Sequence, residues 1–265
     1  MAIPNVLVLR APGINCDDET VFTWRLAGAQ SKAVHINELI ESPVLLDGQQ
    51  VLTIPGGFSF GDDIASGKVL ANRIIQRLGD HLTRFVERGG CVLGICNGFQ
   101  VLVRTGLVPG ADAPARATLG WNESGRYEAR WVRLKALTDR SPFLEAGAEY
   151  EFPIEHAEGR LLFEDGAAGA ERLKAAGRVA LEYITGNGSD GPVSFPDNPN
   201  GSIKNAAGLI DASGRVLGLM PHPERYIDPT QYRTGPLRNT KNGDLPVADG
   251  LRFFQTAVRR LAAEA

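Results

Sequence analysis

The sequence predicts an α/β protein built on an open, mostly parallel sheet that is flanked by helices. Over roughly the first hundred residues, short apolar runs alternate with amphipathic stretches, the pattern of buried parallel strands joined by helices. The apolar runs are followed by turns that contain glycine or proline, and one long stretch, roughly 69–88, repeats apolar side chains at helical spacing. These observations favour a doubly wound sheet, in which ligands bind at the carboxyl ends of the strands.

The first half contains four predicted strands and the helices between them. A helix follows the first turn, with Asp17 or Asp18 expected as its cap, and it ends at Gly28. Another helix begins directly after Cys96. The first strand, Val6–Leu9, reads as apolar on both faces, as parallel strands are. The other three are predicted at Ala33–Ile36, Val51–Ile54 and Cys91–Ile95.

The second half is less regular and contains longer polar segments. Residues 185–202 and 228–248 lack periodicity and are predicted loops, the second a polar insertion. The regular elements expected here are strands at Tyr127–Leu134 and Val179–Ile184, a hairpin of Ala207–Ile210 with Val216–Met220, and a closing helix at Leu251–Leu261. We find no internal repeat, so residues 1–265 are predicted to form a single domain.

Composition excludes several classes of function. The chain of 265 residues has a net charge of −3 and a pI of about 5.9, so no positive field attracts nucleic acid or anionic lipid. No apolar run approaches the roughly 18 residues that span a bilayer, so we expect a cytoplasmic protein without membrane contact. The three cysteines form no CxxC pair and have no neighbouring histidine, which argues against disulfides and against a metal site.

Gly94-Ile-Cys-Asn-Gly98 has the spacing of a nucleophile elbow with cysteine as the nucleophile. The tight turn from strand to helix leaves room only for glycine at positions 94 and 98. Cys96 then stands at the start of a helix, whose dipole favours the thiolate over the thiol. The Asn97 N–H points toward the same place and is a candidate oxyanion donor. The alternative for Cys96 is an inert cysteine in a glycine-rich turn. Cys91 lacks the elbow spacing and is interpreted as a core residue.

A cysteine nucleophile needs a base, and His222 is the preferred candidate. It lies in Met220-Pro-His-Pro-Glu224, where each proline pushes the preceding residue toward an extended conformation. In an extended chain residues i and i+2 face the same side, so Glu224 is expected beside His222. A carboxylate there accepts the ring N–H and orients the base, as in a catalytic triad.

The other histidines are weaker candidates. His156 and Glu158 have the same spacing, but no proline restricts their geometry, so this pair remains a rival. His35 lies in a predicted strand and His81 in a predicted helix, and both are interpreted as structural.

Several segments, spread over nearly the whole chain, carry a resemblance to a known family. They are PGINCD (12–17), PGGFSFGD (55–62), GICNGFQ (94–100), NESGRYE (122–128) with RWV (130–132), EGR (158–160), NPNGS (198–202) and MPHPER (220–225). With these segments the chain resembles the class I (triad) glutamine amidotransferases. Within that family it is most similar to the glutaminase subunits of phosphoribosylformylglycinamidine synthase, an enzyme of purine biosynthesis.

The resemblance implies a flavodoxin-like fold, one type-1 amidotransferase domain, and a triad of Cys96, His222 and Glu224. It also implies that the Gly57 N–H is a second oxyanion donor beside Asn97.

The resemblance further implies that Gln100 touches the substrate glutamine. One departure concerns the segment His156-Ala-Glu-Gly159, where the family usually has His-Gly-Glu-Gly. This departure weakens any role for the backbone of that loop and leaves the triad unaffected.

The implied activity is hydrolysis of glutamine to glutamate and delivery of the ammonia to a separate, larger synthase subunit. That subunit binds ATP and Mg²⁺ and converts formylglycinamide ribonucleotide to formylglycinamidine ribonucleotide, and a small third subunit completes the assembly. The present chain has no phosphate-binding GxxxxGK[ST] or GxGxxG motif, so no cofactor of its own is expected.

Three alternatives remain at this point. The chain could be a related cysteine hydrolase such as a peptidase, an amidotransferase that supplies another synthase, or an inactive scaffold. Ammonia release from glutamine separates the enzymes from the scaffold. Recovery of a purine synthase as partner separates the glutaminase subunit of phosphoribosylformylglycinamidine synthase from the other enzymes.

Overall fold

The computed structural model describes residues 2–186, 193–232 and 247–264. Parts of the two predicted loops, 185–202 and 228–248, therefore lie outside the described residues, and the insertion at 228–248 stays a prediction. Within the described part of that segment, Pro229–Gln231 forms one turn of 3₁₀ helix. No helix of the described residues is both long enough and apolar enough to cross a bilayer.

Eleven strands and six α-helices make up the regular structure of the described residues. The strands are β1 (Asn5–Arg10), β2 (Gln30–His35), β3 (Val51–Ile54), β4 (Cys91–Ile95), β5 (Ala117–Gly120), β6 (Glu128–Ala136), β7 (Glu149–His156), β8 (Arg160–Phe163), β9 (Val179–Ile184), β10 (Ala206–Ile210) and β11 (Val216–Leu219). The helices are α1 (Asp17–Leu26), α2 (Ile36–Glu41), α3 (Lys68–Glu87), α4 (Asn97–Thr105), α5 (Ala167–Ala175) and α6 (Asp249–Glu264).

Nine strands form one sheet in the order β2-β1-β3-β4-β11-β10-β9-β6-β7, and β5 pairs with β8 separately. The five strands from β2 to β11 run parallel, and from β11 to β7 each neighbouring pair is antiparallel. This arrangement confirms the predicted α/β class and the predicted β10–β11 hairpin. The parallel half of the sheet carries the segments with candidate catalytic residues.

The strand order creates a crevice at the carboxyl ends of β1 and β3. From β1 the chain moves outward to β2, whereas from β3 it moves in the opposite direction to β4. Because such crossovers are right-handed, the connecting helices α1 and α3 lie on opposite faces of the sheet. Ligands bind where the strand order reverses in this way.

Some elements differ from the sequence prediction. The strand predicted at Ala33–Ile36 begins three residues earlier, at Gln30, and ends at His35. Ile36 is the first residue of α2. Five elements had no clear sequence signal: α2, β5, β7, β8 and α5. β7 is an edge strand with Pro153 in its middle and alternate residues buried. A proline argues against a central strand but is tolerated at an edge.

The start of α1 differs from the expected aspartate cap. Cys16 occupies the N-cap position and no side chain caps the helix. Asp17 is buried and forms an ion pair with Arg10 at the end of β1. The Asp17 carboxylate, expected from the sequence to cap the helix, instead pairs with Arg10. Cys16 is left at the N-cap position.

A buried indole joins α1 to the sheet. Trp24 is fully buried and donates its Nε1–H to Thr53 Oγ1 on β3 at 3.0 Å. Its ring meets Phe254 of α6 edge-on, with 4.8 Å between centroids. This contact satisfies the polar atom of Trp24 while its carbons fill the layer between α1, α6 and the sheet.

Helix α4 lies unusually close to strand β3 because Gly98 has no side chain. A β-carbon at Gly98 would overlap the Ile54 carbonyl oxygen at the end of β3. A β-carbon at Gly94 would lie 2.7 Å from the Gly98 carbonyl oxygen. Both glycines of the elbow are therefore required by close backbone approach.

We expect Gly98→Ala to lower the free energy of unfolding by roughly 3 kcal/mol, because the methyl group must push backbone away from backbone. The matched control is Gly79→Ala in the middle of α3, where nothing lies within 4 Å of the added carbon. That change should raise the free energy of unfolding by about 0.5–1 kcal/mol through helix propensity. Urea denaturation of both variants measures the difference, and equal midpoints would contradict the close-approach argument.

Candidate active site

Three loops meet at the carboxyl ends of β1, β3 and β4. An isolated bridge pairs Ile14 with Gly57, and the Phe58 N–H donates to the Gly13 carbonyl at 2.8 Å. The Cys16 N–H donates to the Gly56 carbonyl at 3.4 Å. The hydrogen bonds that hold these loops together therefore leave the Gly57 N–H unused. Gly57 has a φ of 135°, a conformation that favours glycine.

Cys96 stands at the turn from β4 to α4 in a strained conformation. Its φ is 51° and its ψ −105°, which few residues other than glycine adopt. Its backbone N–H donates to the Leu219 carbonyl at 2.8 Å, which ties the turn to the end of β11. The side chain is 5% exposed, and its Sγ lies 3.7 Å from the Glu155 carbonyl oxygen. The predicted elbow is present, and its thiol is almost completely buried at the edge of a cavity.

His222 and Glu224 form a buried hydrogen-bonded pair. His222 Nδ1 lies 2.6 Å from Glu224 Oε1, and the two residues are 2% and 1% exposed. The expected contact exists, but the predicted extended chain does not produce it, because Pro223–Arg225 forms a 3₁₀ turn. The His222 N–H donates to the Pro153 carbonyl at 2.8 Å, so β7 anchors the base.

The imidazole of His222 converges with Cys96 over Gly56. A β-carbon on Gly56 would lie 2.6 Å from His222 Cε1 and 3.4 Å from Cys96 Cβ. Only glycine leaves room for both side chains at this point. The structure therefore brings together the predicted nucleophile, base and orienting carboxylate from β4 and the segment after β11.

Two opposing effects act on His222. Burial lowers the pKa of the imidazole, whereas the facing Glu224 carboxylate and the neighbouring Cys96 and Cys16 raise it. The raising effects win, so the pKa of His222 lies well above its ordinary value of 6.5. The environment thus favours the imidazolium, the form that can donate a proton.

The rival pair His156 and Glu158 does not form. His156 Nδ1 faces Asn122 Oδ1 at 3.1 Å, and Glu158 Oε1 accepts from Ser66 Oγ at 2.9 Å. Burial lowers the pKa of His156 to about 3, so this imidazole is neutral. Of the two remaining histidines, His35 caps α2 by accepting from the Asn37 N–H at 3.2 Å, which is a structural role.

Asn97 and Gln100 join the elbow to the neighbouring loops. Asn97 Oδ1 accepts from the Ser59 N–H at 3.2 Å, and its Nδ2 donates to Asp62 Oδ1 at 3.0 Å and Gln100 Oε1 at 2.9 Å. Gln100 Nε2 donates to the Glu158 carbonyl at 2.7 Å. Gln100 does lie in the wall of the cavity beside Cys96, but its amide already binds Asn97 of the same helix and the loop that contains Glu158.

Cys16 and Arg225 belong to the same neighbourhood and were missed by the sequence reasoning. Arg225 Nη2 lies 3.3 Å from Cys16 Sγ, and the guanidinium also binds Glu155 and Glu19. Burial raises the pKa of the Cys16 thiol to about 11. The available signal was position, because Cys16 follows β1 at the same sheet edge as Cys96.

One set of potential metal ligands is present among the described residues. A ligand atom from each of Cys16, His222 and Glu224 lies within 4.8 Å of the others. Because His222 and Glu224 already bind each other, the set fits a hydrogen-bonded pair beside a neutral thiol.

A cavity of roughly 390 Å³ opens above the nucleophile. Its wall includes Cys96, Gly57 and Gln100 together with the carboxylates of Asp62, Glu155 and Glu158. Among the described residues no lysine or arginine lines it. This volume accommodates a small molecule, and the wall favours one that carries a positive charge.

Comparison with known proteins gives consistent matches along the chain. Residues 3–260 match the model of the CobB/CobQ-like glutamine amidotransferase domain. A phosphoribosylformylglycinamidine synthase subunit PurQ from Dehalococcoides mccartyi is 39% identical over 261 residues, which cover 98% of each chain. A subunit of the same name from Methanococcus maripaludis strain S2 is 37% identical, with 97% of each chain covered.

Solved structures share the fold. A structure of PurLQS from Thermotoga maritima matches with a TM-score of 0.72 and 28% identity, covering 97% of this chain and 99% of that one. A putative GMP synthase subunit from Thermoplasma acidophilum matches with a TM-score of 0.54 and 12% identity, covering 100% and 96% of the two chains, and shows likeness of fold alone.

We expect Glu224→Gln to lower the pKa of His222, because it removes the charge that opposes the effect of burial. A raised folded-state pKa contributes stability that is complete below the ordinary value of 6.5 and is lost as pH rises through the folded pKa. In the variant this alkaline loss moves to lower pH. Imidazole NMR titration and the free energy of unfolding between about pH 6 and 10 measure the shift.

The matched control for this titration is Glu182→Gln, whose carboxylate pairs with Lys174 at the surface. It should leave the His222 titration unchanged. Superimposable curves for Glu224→Gln and the wild type would contradict the assigned electrostatic role of Glu224.

Proposed function

The chain belongs to the CobB/CobQ-like glutamine amidotransferase family, among the PurQ subunits of phosphoribosylformylglycinamidine synthase, and from this premise we propose that Cys96, His222 and Glu224 form its catalytic triad. The protein is the glutaminase subunit of that synthase in purine biosynthesis and acts within an ATP-dependent complex. Membership in this family sets aside the peptidase and the amidotransferase of another synthase. The observation that carries the proposed triad is the convergence of Cys96 and the His222–Glu224 pair over Gly56.

The first half of the proposed reaction forms a thioester. The Cys96 thiolate attacks the side-chain amide carbon of glutamine and forms a carbon–sulfur bond. The N–H groups of Gly57 and Asn97 bind the oxyanion, a contribution of about 2.7–4 kcal/mol for each donor. The protonated imidazole of His222 gives its proton to the departing nitrogen, the carbon–nitrogen bond breaks, and ammonia leaves.

The second half regenerates the enzyme. Neutral His222 takes a proton from water as the water oxygen attacks the thioester carbon. The carbon–sulfur bond then breaks, glutamate leaves and the Cys96 thiolate returns. Glu224 holds the imidazole in one tautomer and stabilises the imidazolium in both halves.

The proposed partners follow from the fate of the ammonia. Ammonia in neutral water is mostly ammonium, which is not a nucleophile, so it must reach its acceptor along a shielded path. We place ATP and Mg²⁺ on a larger synthase subunit, which converts formylglycinamide ribonucleotide to formylglycinamidine ribonucleotide, with a small third subunit in the complex. We expect no cofactor on this chain and a cytoplasmic location.

We expect Cys96→Ala to lower glutamine-dependent synthesis by roughly 10⁴-fold or more, because no other group forms the thioester. Synthesis supplied with ammonia by the same complex should be retained. A glutamine-mimicking diazo-ketone should label Cys96 in the wild type, with excess glutamine protecting it, as mapped by mass spectrometry.

Cys91→Ala is the matched control for this substitution. Cys91 is fully buried and burial raises the pKa of its thiol to about 11, so it should be neither labelled nor required. Glutaminase activity that survives Cys96→Ala would overturn the assigned nucleophile.

We also expect the purified chain to be a weak glutaminase on its own, with turnover that rises when the synthase subunits are added. Titration of the partner subunits at saturating glutamine measures the activation. High turnover that does not change on addition of the partners would contradict coupling between hydrolysis and synthesis.

A further inference from the structure

The outer edge of β7 holds both the base and the nucleophile of the proposed triad. The Pro153 carbonyl accepts from the His222 N–H at 2.8 Å. Two residues further along the same strand, the Glu155 carbonyl faces Cys96 Sγ at 3.7 Å and accepts from its thiol. β7 is the last strand of the sheet, so no neighbouring strand uses the carbonyls on its outer edge. Because the strand repeats every two residues, one edge presents both carbonyls to the site.

The thiol that faces Glu155 does not also bind the imidazole. His222 Nε2 is buried and has no hydrogen-bond partner among the residues that the structure describes. The side chains of Cys96 and His222 nevertheless meet over Gly56, and Cys96 is close enough to raise the pKa of the imidazole. A carbonyl that accepts from a thiol stabilises the neutral thiol and opposes the thiolate. Cys96 therefore lies in a resting position, in which its thiol faces a carbonyl and not the base.

The end of β7 that carries this carbonyl is fixed by Arg225. The Arg225 guanidinium pairs with the carboxylate of Glu155 and, at 2.8 Å, with that of Glu19 on α1. Its Nη2 also lies 3.3 Å from Cys16 Sγ. A planar guanidinium holds two carboxylates in fixed directions, which an ammonium group does not. Arg225 thus joins the start of α1, the end of β7 and the 3₁₀ turn that contains Glu224.

The ion-pair cluster of Arg225, Glu155 and Glu19 is open to the surface. The three side chains are 24%, 38% and 36% exposed, whereas those of His222 and Glu224 beside them are buried. Glu155 also lines the cavity above the nucleophile. Exposed ion pairs contribute little to folding stability, so this cluster can exchange its partners at small cost to the fold. A protein that docks at the cavity can therefore reach it.

We propose that Arg225 is a positioning residue that holds the Glu155 carbonyl against the Cys96 thiol until the synthase subunit docks and displaces the ion-pair cluster. When the end of β7 moves, a rotation about the Cα–Cβ bond of Cys96 carries the thiol from the carbonyl to His222. The isolated chain is then a weak glutaminase because its nucleophile rests on the wrong acceptor. The inference rests on the proposed glutaminase function and names how that function is controlled.

Arg225→Gln separates this role from a simple effect of charge. Removing a cation near a thiolate raises the pKa of the thiol and slows its alkylation, whereas releasing the Glu155 carbonyl frees the thiol and speeds it. We expect the alkylation of Cys96 by iodoacetamide at pH 7 to become roughly 3- to 10-fold faster, the effect of losing one neutral hydrogen bond. The pH profile of the rate should move to lower pH, and mass spectrometry assigns the alkylated cysteine.

The substitution leaves in place every ionisable group that acts on the thiol or its base. These groups are His222, Glu224, Glu155, Tyr127, Tyr183 and Cys16. A shift of the pH profile therefore reports the release of the thiol, which a merely structural role of Arg225 would not produce.

Glutamine turnover supplies a second readout. The isolated Arg225→Gln chain should hydrolyse saturating glutamine faster than the isolated wild type, so its activation by added synthase subunits should shrink. Arg225→Lys keeps the charge but holds the two carboxylates less firmly, and its alkylation rate should lie between those of the wild type and Arg225→Gln. Arg172→Gln is the matched control, because Arg172 pairs with Asp165 at the surface. It should change neither readout.

Alkylation of Arg225→Gln that is slower than, or equal to, that of the wild type would overturn the proposal. So would equal activation of both chains by the synthase subunits. Urea denaturation checks that the variants are folded, and if Arg225→Gln is not, a rate for Arg225→Lys no higher than that of the wild type decides against the proposal. Alkylation requires no glutamine, so failure of the wild-type complex to release ammonia would instead overturn the proposed function.

Discussion

The strained backbone of Cys96 is the constraint on which the rest of the site depends. A positive φ at a residue other than glycine costs about 1–3 kcal/mol and persists only where its surroundings enforce it. Here the Cys96 N–H is bound to the Leu219 carbonyl, and Gly98 lets α4 approach the end of β3 closely. The parallel pairing of β4 with β11 places Ile95 opposite Leu219, so the chain segments that carry Cys96 and His222 leave the sheet side by side.

The electrostatics of the site divide into two regions with different tasks. Beneath the nucleophile, the buried Glu224 carboxylate favours the protonated form of His222, which in the proposed reaction gives its proton to the leaving group. Above it, the carboxylates of Asp62 and Glu158 give the cavity wall a negative character without a compensating cation among the described residues. In the proposed reaction the first region transfers the proton, and Asn97 connects the two regions through its contact with Asp62.

Side-chain amides fix the loops of the two regions relative to one another. Asn97 and Gln100 on α4 bind the loop after β3 and the Glu158 carbonyl, while Asn122 and Asn200 bind Gly159. Each of these amides is buried and its bonds use groups that water would otherwise satisfy. Such a network stabilises one arrangement of three loops that have little regular structure of their own.

The sequence by itself determined the alternation of strands and helices in the first half, the glycine elbow around Cys96 and the pairing of His222 with Glu224. These features depend on local spacing, because strand periodicity, the glycines of the elbow and the contact between His222 and Glu224 each involve residues close in sequence. The backbone between His222 and Glu224 is nevertheless a 3₁₀ turn and not the extended chain expected from the sequence. Only the tertiary structure decided that Cys16 and Arg225 join this neighbourhood, and that Asp62 and Glu158 share one hydroxyl. Those contacts connect residues in the segments that follow β1, β3, β7 and β11. The strand order of the sheet, which no local pattern encodes, brings these segments together.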